Sequence, residues 1–370
     1  MNTSSAKPTT YWDYIRVDEL LSLQSGLEED DSGLSNDEVL FITVHQVFEL
    51  WFKLTHRELR AARDLFTADH VAEQQLSGAV RGLKRAVTLF RQLASQFEIM
   101  ETLTTREYLG FRTKLMPASG FQSAQMRRIE IIFGLDDDER LPLGAEGSYK
   151  DALKSKDGSP SPALEQVEEQ LADMPTLKHV VDEWLYRTPI DGVAFDAPDA
   201  EIRLKEFIGR FLDSTSDDLD GICEHATACA GNSEDAKRLK GVYAKEKDNI
   251  RAFLHPTEEE GGARTARIRT AMLFIVTYRE LPLLAWPREV LDAIVELEQV
   301  FVIFRQRHAR MVERVIGRRA GTGGSAGVDY LDQTALTYRI FRDLWAIRTI
   351  QLKQAASPKL TNPDFYGFRE

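Results

Sequence analysis

His45 and His308 are the two residues of this chain whose type and setting invite chemistry. Phe41, His45, Phe48 and Phe52 step by four, three and four, so a helix would bring them to one face and set the imidazole in an aromatic stripe. A histidine so placed is either a core residue whose ring nitrogens are satisfied by neighbours, or a titratable group in a dry pocket that accepts or relays a proton. His308 repeats the pattern, because Val290, Ile294, Leu297, Phe301, Phe304, His308, Met311 and Val315 also step by fours and threes. Arg305, Arg307 and Arg310 lie within one turn of it. They are either a solvated helix face or guanidinium forks able to hold carboxylates, such as haem propionates, beside an imidazole offered inward. Neither histidine belongs to a short-range metal motif. His56 and His255 have no comparable placement, and His70, His179 and His225 sit in charged or polar contexts that suggest surface.

Two further segments could serve the same ligand. Tyr108 and Arg112 are four apart and would share a helix face, giving an aromatic wall beside a planar fork for a carboxylate; the plainer alternative is a surface arginine stacked on a tyrosine. Gly321 to Gly327 is a glycine-rich loop that lacks the Gly-Lys-Ser/Thr of a phosphate cradle and has no strand before it. It is either a flexible connector or a place where backbone amides and the Thr322 hydroxyl approach a ligand closely.

Helices must position these groups. Apolar residues recur at helical spacing over about 11–25, 36–66, 69–100, 104–116, 119–133, 163–186, 198–230, 233–254, 259–279, 287–319 and 331–354. Ser35 and Glu38 form a capping box for the second of these. Met1 to Thr10 reads as a floppy arm, and 136–162, rich in Gly, Pro, Ser and charge, as an exposed insertion. Strand alternation is almost absent and no internal repeat is found, so the expectation is an all-α fold. It divides into N-terminal helices with a distal pocket (1–135), a helical insertion (136–260) and C-terminal helices around His308 (261–370).

Composition narrows the function class. The 370 residues include 47 Lys plus Arg against 59 Asp plus Glu, a net charge of −12, and 43% are hydrophobic. A sizeable core is expected. With no basic block, nucleic acid and anionic membrane surfaces are poor partners. No apolar run long enough to span a bilayer occurs, the N-terminus has no signal-peptide core, and two cysteines can neither staple the chain nor complete a zinc site. The expected compartment is the cytoplasm.

Several segments carry a resemblance. Asp37-Glu38-Val39-Leu40-Phe41-Ile42 runs into His45-Gln46 and Glu49-Leu50-Trp51-Phe52-Lys53; Glu107-Tyr108 is followed by Phe111-Arg112 and then by Pro117-Ala118-Ser119-Gly120-Phe121-Gln122-Ser123. Tyr278-Arg279-Glu280, Arg307-His308, Val312-Glu313-Arg314, Ile316-Gly317 and the glycine-rich loop come later. In order and content these motifs, from about Tyr11 to Arg348, resemble the tryptophan 2,3-dioxygenase family. The middle, about 136–260, matches loosely, and Trp184-Leu185 with Arg187-Thr188-Pro189 is similar to the longer, animal-like form.

The resemblance implies an all-helical oxygenase with haem b that adds O2 across the indole C2–C3 bond of L-tryptophan to give N-formylkynurenine. It makes His308 the proximal iron ligand and His45 the distal, catalytic histidine that meets the indole N–H. Phe41 and Tyr108 would wall the indole, Arg112 would pair with the substrate carboxylate, and Thr322, with a haem propionate, would receive the ammonium. Tyr11 and Tyr14 would lie on a helix that reaches a neighbouring subunit's site, which implies a homotetramer. The chain departs from the family pattern at Trp12, usually glycine, and at Asn36, usually histidine. A related reading is therefore a haem monooxygenase acting on a substituted indole in secondary metabolism. A third class, a non-catalytic haem-binding or sensing protein, would need His308 but not the conjunction of His45, Tyr108 and Arg112.

Overall fold

The Ser35 hydroxyl ends an acidic loop and starts a 31-residue helix by accepting the Glu38 N–H at 3.1 Å, the N-cap anticipated from the sequence. Glu38 does not complete the box: its carboxylate is buried and meets Lys114 at 3.0 Å instead. The computed structural model describes residues 9–142, 147–155, 158–322 and 327–367. Most of the Met1–Thr10 arm and the centre of the glycine-rich loop lie outside the described residues. Within them are fourteen α-helices and no β-strand, so the fold is all-α.

The helices are α1 (Tyr11–Tyr14), α2 (Val17–Leu21), α3 (Asn36–Phe66), α4 (Glu73–Met100), α5 (Thr105–Phe111), α6 (Ala124–Phe133) and α7 (Pro162–Ala172). They continue with α8 (Leu177–Arg187), α9 (Ala200–Ala228), α10 (Ser233–Leu254), α11 (Gly262–Thr277), α12 (Ala285–Ile316), α13 (Val328–Thr337) and α14 (Arg342–Thr349). Helix α4 runs along both α3 and α12, making the three-helix unit on which the others rest. Helices α6 and α8 pack on the far parts of α3, α13 lies along α12, and α9 and α10 form a helical pair.

The buried face of α3 is Val44, Phe48, Phe52, Thr55, Leu59, Ala62 and Phe66, that of α4 includes Leu83, Phe90, Leu93 and Phe97, and that of α12 includes Ile294, Leu297, Phe301 and Phe304. Where the stripes meet, Phe48 touches Phe97 at 5.1 Å between ring centroids, Phe97 touches Phe304 at 5.2 Å, and Phe90 touches Phe301 at 4.9 Å. Such pairs contribute roughly 0.5–1.5 kcal/mol each beyond the area they bury.

Several helical expectations break into pieces. The 11–25 segment splits at Arg16, whose φ of 55° places it in the left-handed region and turns α1 away from α2. The 163–186 segment is two helices, and so is 331–354. The second of these breaks because Glu298 of α12, itself buried, accepts the backbone N–H groups of Ile340 (2.5 Å) and Phe341 (3.0 Å) and the Trp345 indole N–H. The 136–162 segment is less exposed than expected. Tyr149 and Leu153 are buried in a second, smaller cluster with Ile131, Leu164 and Val167, and the Arg140 guanidinium stacks 4.3 Å from the Tyr149 ring centroid.

Among the described residues Glu298 pairs with no cation, only with these three donors. Glu298→Leu leaves all three unpaired and is expected to lower unfolding stability by about 3–5 kcal/mol, read from a urea midpoint. A midpoint equal to that of wild type would show that the donors find other partners.

Candidate active site

His45 and His308 lie at two ends of one aromatic cluster. The His45 ring is 4.1 Å from Phe41 and 6.1 Å from Phe48; that of His308 is stacked on Phe97 at 5.4 Å and 5°, and 6.4 Å from Phe304. Phe48 touches both Phe97 and Phe304, so a chain of rings joins the histidines across α3, α4 and α12. Both imidazoles are half-buried rather than sealed.

Their protonation follows from this setting. His45 Nδ1 lies 2.7 Å from the Phe41 carbonyl oxygen, which can only accept, so Nδ1 carries the proton and Nε2 keeps a free lone pair. Burial lowers the His45 pKa against the raising effect of that bond. His308 falls to about 4, chiefly by burial, with His45, Arg305 and Arg127 adding to the effect. It is a neutral imidazole with no hydrogen-bond partner among the described residues, a base presented rather than a core histidine satisfied.

The three flanking arginines are not free to receive a ligand's carboxylates. Arg305 is buried against Glu130 at 2.5 Å, Arg307 lies 3.3 Å from Glu101, and Arg310 binds Asp332 at 2.5 Å and Glu313 at 2.8 Å. Apart from Glu313, three residues on from Arg310, these acidic partners come from distant sequence, which local spacing could not show.

The other site residues assemble near the end of α5. Tyr108 is buried, 6.0 Å from the Phe41 ring and 5.5 Å from Phe111. Arg112 begins a 3-10 turn (Arg112–Leu115) rather than continuing the helix, and it remains against the Tyr108 hydroxyl. Burial raises the Tyr108 pKa and Arg112 partly offsets it. The turn is fixed to α3 by the Lys114–Glu38 pair. Arg112 donates one Nη2 bond to the Ala320 carbonyl at 2.5 Å, while its buried Nε–H has no hydrogen-bond partner among the described residues. Thr322 donates to the Ala118 carbonyl, bringing the described part of the glycine-rich loop to the Arg112 segment. The fold thus brings Phe41, His45, Tyr108, Arg112 and Thr322 to one side of the aromatic cluster, with His308 at its other end.

Tyr11 and Tyr14 do not join this group. They are 77% and 80% exposed on α1 and project away from their own chain. The arm is tied to α3 beside His45, since Gln46 donates to the Leu23 carbonyl at 2.7 Å and accepts from Gln24 at 2.6 Å. Sequence reading missed His56, which is buried and bonded to Gln170, and Glu130, a carboxylate inside the apolar run Ile129 to Phe133. A charge within such a run was the available signal.

A family model described as tryptophan 2,3-dioxygenase matches residues 1–351. The chain belongs to the tryptophan 2,3-dioxygenase family. It is similar to the tryptophan 2,3-dioxygenase of Sorangium cellulosum, 52% identical over 368 residues covering 98% of this chain and 88% of that one. The tryptophan 2,3-dioxygenase 2 of Ralstonia nicotianae is 49% identical over 370 residues, covering 98% of this chain and 99% of its own. A vertebrate relative, tryptophan 2,3-dioxygenase B of Danio rerio, is 32% identical over 376 residues, covering 100% and 88%. Of the two departures from the tryptophan 2,3-dioxygenase pattern, Trp12 sits on the exposed α1 and Asn36 lines a groove of about 380 Å³ with Val39, Leu40, Thr43, Gln96 and Ile99. That groove contains none of the residues grouped above.

Because the folded protein holds His45, His56 and His308 below the ordinary imidazole value, the unfolded chain takes up protons first as pH falls. Stability is therefore full above about 6.5 and declines between 6.5 and 4, the interval that His308 spans. In protein free of any bound group the urea midpoint is expected to fall across this range, and His308→Phe to flatten the slope. An unchanged slope in the variant would contradict the assignment.

Proposed function

We propose that this protein opens the indole ring of L-tryptophan with O2 to give N-formylkynurenine, using haem b held by His308. The observation that carries the reading is the pair of neutral histidines on one aromatic cluster, one without a partner and the other with its tautomer fixed. A lone neutral imidazole is the donor of a metal that brings its remaining ligands with it, as porphyrin iron does. His308 fits that requirement, and the unpartnered Arg112 Nε–H beside Tyr108 and Thr322 fits an amino-acid substrate with a charged end. Haem bound there supplies the activation of O2.

The chain's own residues orient and clamp. His45 Nε2, left as an acceptor by the Phe41 carbonyl, receives the indole N–H, while Phe41 and Tyr108 wall the ring and exclude water. Arg112 exchanges its bond to the Ala320 carbonyl for the substrate carboxylate, and Thr322 receives the ammonium. The exposed apolar face of α1 and α2, with Tyr11, Trp12 and Tyr14, supports a homotetramer in which this segment reaches a neighbour's site. No described helix is long and apolar enough to cross a membrane, and Cys223 and Cys229 are free thiols, in keeping with a reducing cytoplasm.

Turnover of L-tryptophan under isotopically labelled O2 is expected to yield a ring-opened product with two labelled atoms. No turnover of tryptophan, with a single labelled atom in an intact oxidised indole, would instead favour the monooxygenase. Arg112→Leu is expected to cost about 2–5 kcal/mol of tryptophan binding, roughly thirty-fold to a few thousand-fold, and to spare indoles that lack a carboxylate. Equal losses for both ligand types would make Arg112 structural.

A further inference from the structure

Behind His308 lies a charge cluster that the proposed reaction does not use. One turn earlier on α12, Arg305 points inward, its guanidinium 4.6 Å from the Phe301 ring centroid and 4.8 Å from that of Tyr338. Its Nη2 meets Glu130 at 2.5 Å. Arg127 and Arg140 reach the same carboxylate at 2.9 and 2.6 Å. Glu130 is fully buried, and the side chains of Arg127, Arg140 and Arg305 are 8%, 4% and 7% exposed. Burial alone would raise the Glu130 pKa, yet the three cations outweigh it and hold the carboxyl at about 2.

Three cations thus share one anion, an excess of two positive charges inside the protein. The rim does not cancel it. Asp137, 3.4 Å from Arg140, is itself paired with Lys150 at 2.7 Å. Burial pushes the phenols of Tyr149 and Tyr330 well above the ordinary tyrosine value, so they stay neutral. Nor is the cluster a minimal ion pair: among the described residues the Nε–H groups of Arg127, Arg140 and Arg305 have no hydrogen-bond partner, so donors exceed what Glu130 can accept. Such an arrangement is a poor device for stability alone. The cluster adjoins the active site, because Arg305 stands three residues before His308 on α12 and neighbours it across one helical turn.

We propose that Arg305 and Arg127, clustered on Glu130, are positioning residues that act through His308 to favour the ferrous over the ferric state of the iron it is proposed to hold. The inference rests on the haem reading above. Ferric iron carries one more positive charge than ferrous iron, so uncompensated buried cations nearby raise the cost of the oxidised form.

Anaerobic spectroelectrochemistry of the haem-loaded protein, with mediators, reads the one-electron midpoint directly. Arg305→Met keeps the bulk and removes the charge; at a fixed ambient potential it is expected to shift the ferric-to-ferrous ratio about ten-fold toward ferric, a midpoint lower by about 59 mV. Arg305→Lys restores most of the shift, and Glu130→Gln, which removes the anion, moves the midpoint up. A packing role would move the Met and Lys variants together, and that result, or a midpoint unmoved in Arg305→Met with histidine ligation intact, overturns the proposal. Arg127→Met carries the same expectation from α6, so a failure of Arg305→Met to fold leaves the test in place. A wild-type protein that takes up no histidine-ligated haem would overturn the cofactor reading itself, a result distinct from an unmoved midpoint.

Discussion

Phe48, Phe97 and Phe304 bring one ring each from α3, α4 and α12 to a common seam, and the placement of His45 and His308 depends on that contact. The three helices are long, 31, 28 and 32 residues, so a small change in their crossing would carry the histidines apart. Interdigitated aromatic packing resists such change because any shift opens a void that nothing fills. His45 and His308 extend the same stripes by one helical step, which makes the core contact and the active-site geometry one construction.

The same seam sets the electrostatics. Apolar walls leave both imidazoles neutral, one with its proton fixed on Nδ1 by the Phe41 carbonyl and the other without a partner. Charge is admitted nearby only where it is bonded. Glu130 is satisfied by three arginines, Glu298 by two backbone amides and an indole, and Glu38 by the lysine that anchors the Arg112 turn. Each of these carboxylates ties a helix of the central unit to a segment outside it, so polar contacts fix the outer elements and apolar ones fix the inner three.

How much of this was legible in sequence depended on range. Helix α3 is legible to its first residue because Ser35 is a local signal. His45 and His308 stood out because their settings are stripes, which spacing reveals. The break at 338–341 was not legible, since the carboxylate that captures those amides is 42 residues away. Spacing leaves Arg305 open between a solvated face and a fork for a ligand for the same reason: Glu130 is 175 residues distant, and only the fold brings them together. The Tyr11 and Tyr14 placement belongs to a neighbouring chain in the proposed assembly, which no reading of one chain's periodicity can supply.

The central claim is that the two ends of the aromatic seam do different work, one holding the iron and the other meeting substrate. Haem titration of His308→Ala and His45→Ala side by side, followed by absorption spectra of the ferrous forms, tests it most directly. The account predicts that His308→Ala loses stable stoichiometric haem, and that His45→Ala keeps haem with wild-type ligation spectra while losing turnover of tryptophan. Stoichiometric haem with unchanged ligation in His308→Ala, or equal haem loss in both variants, would contradict it.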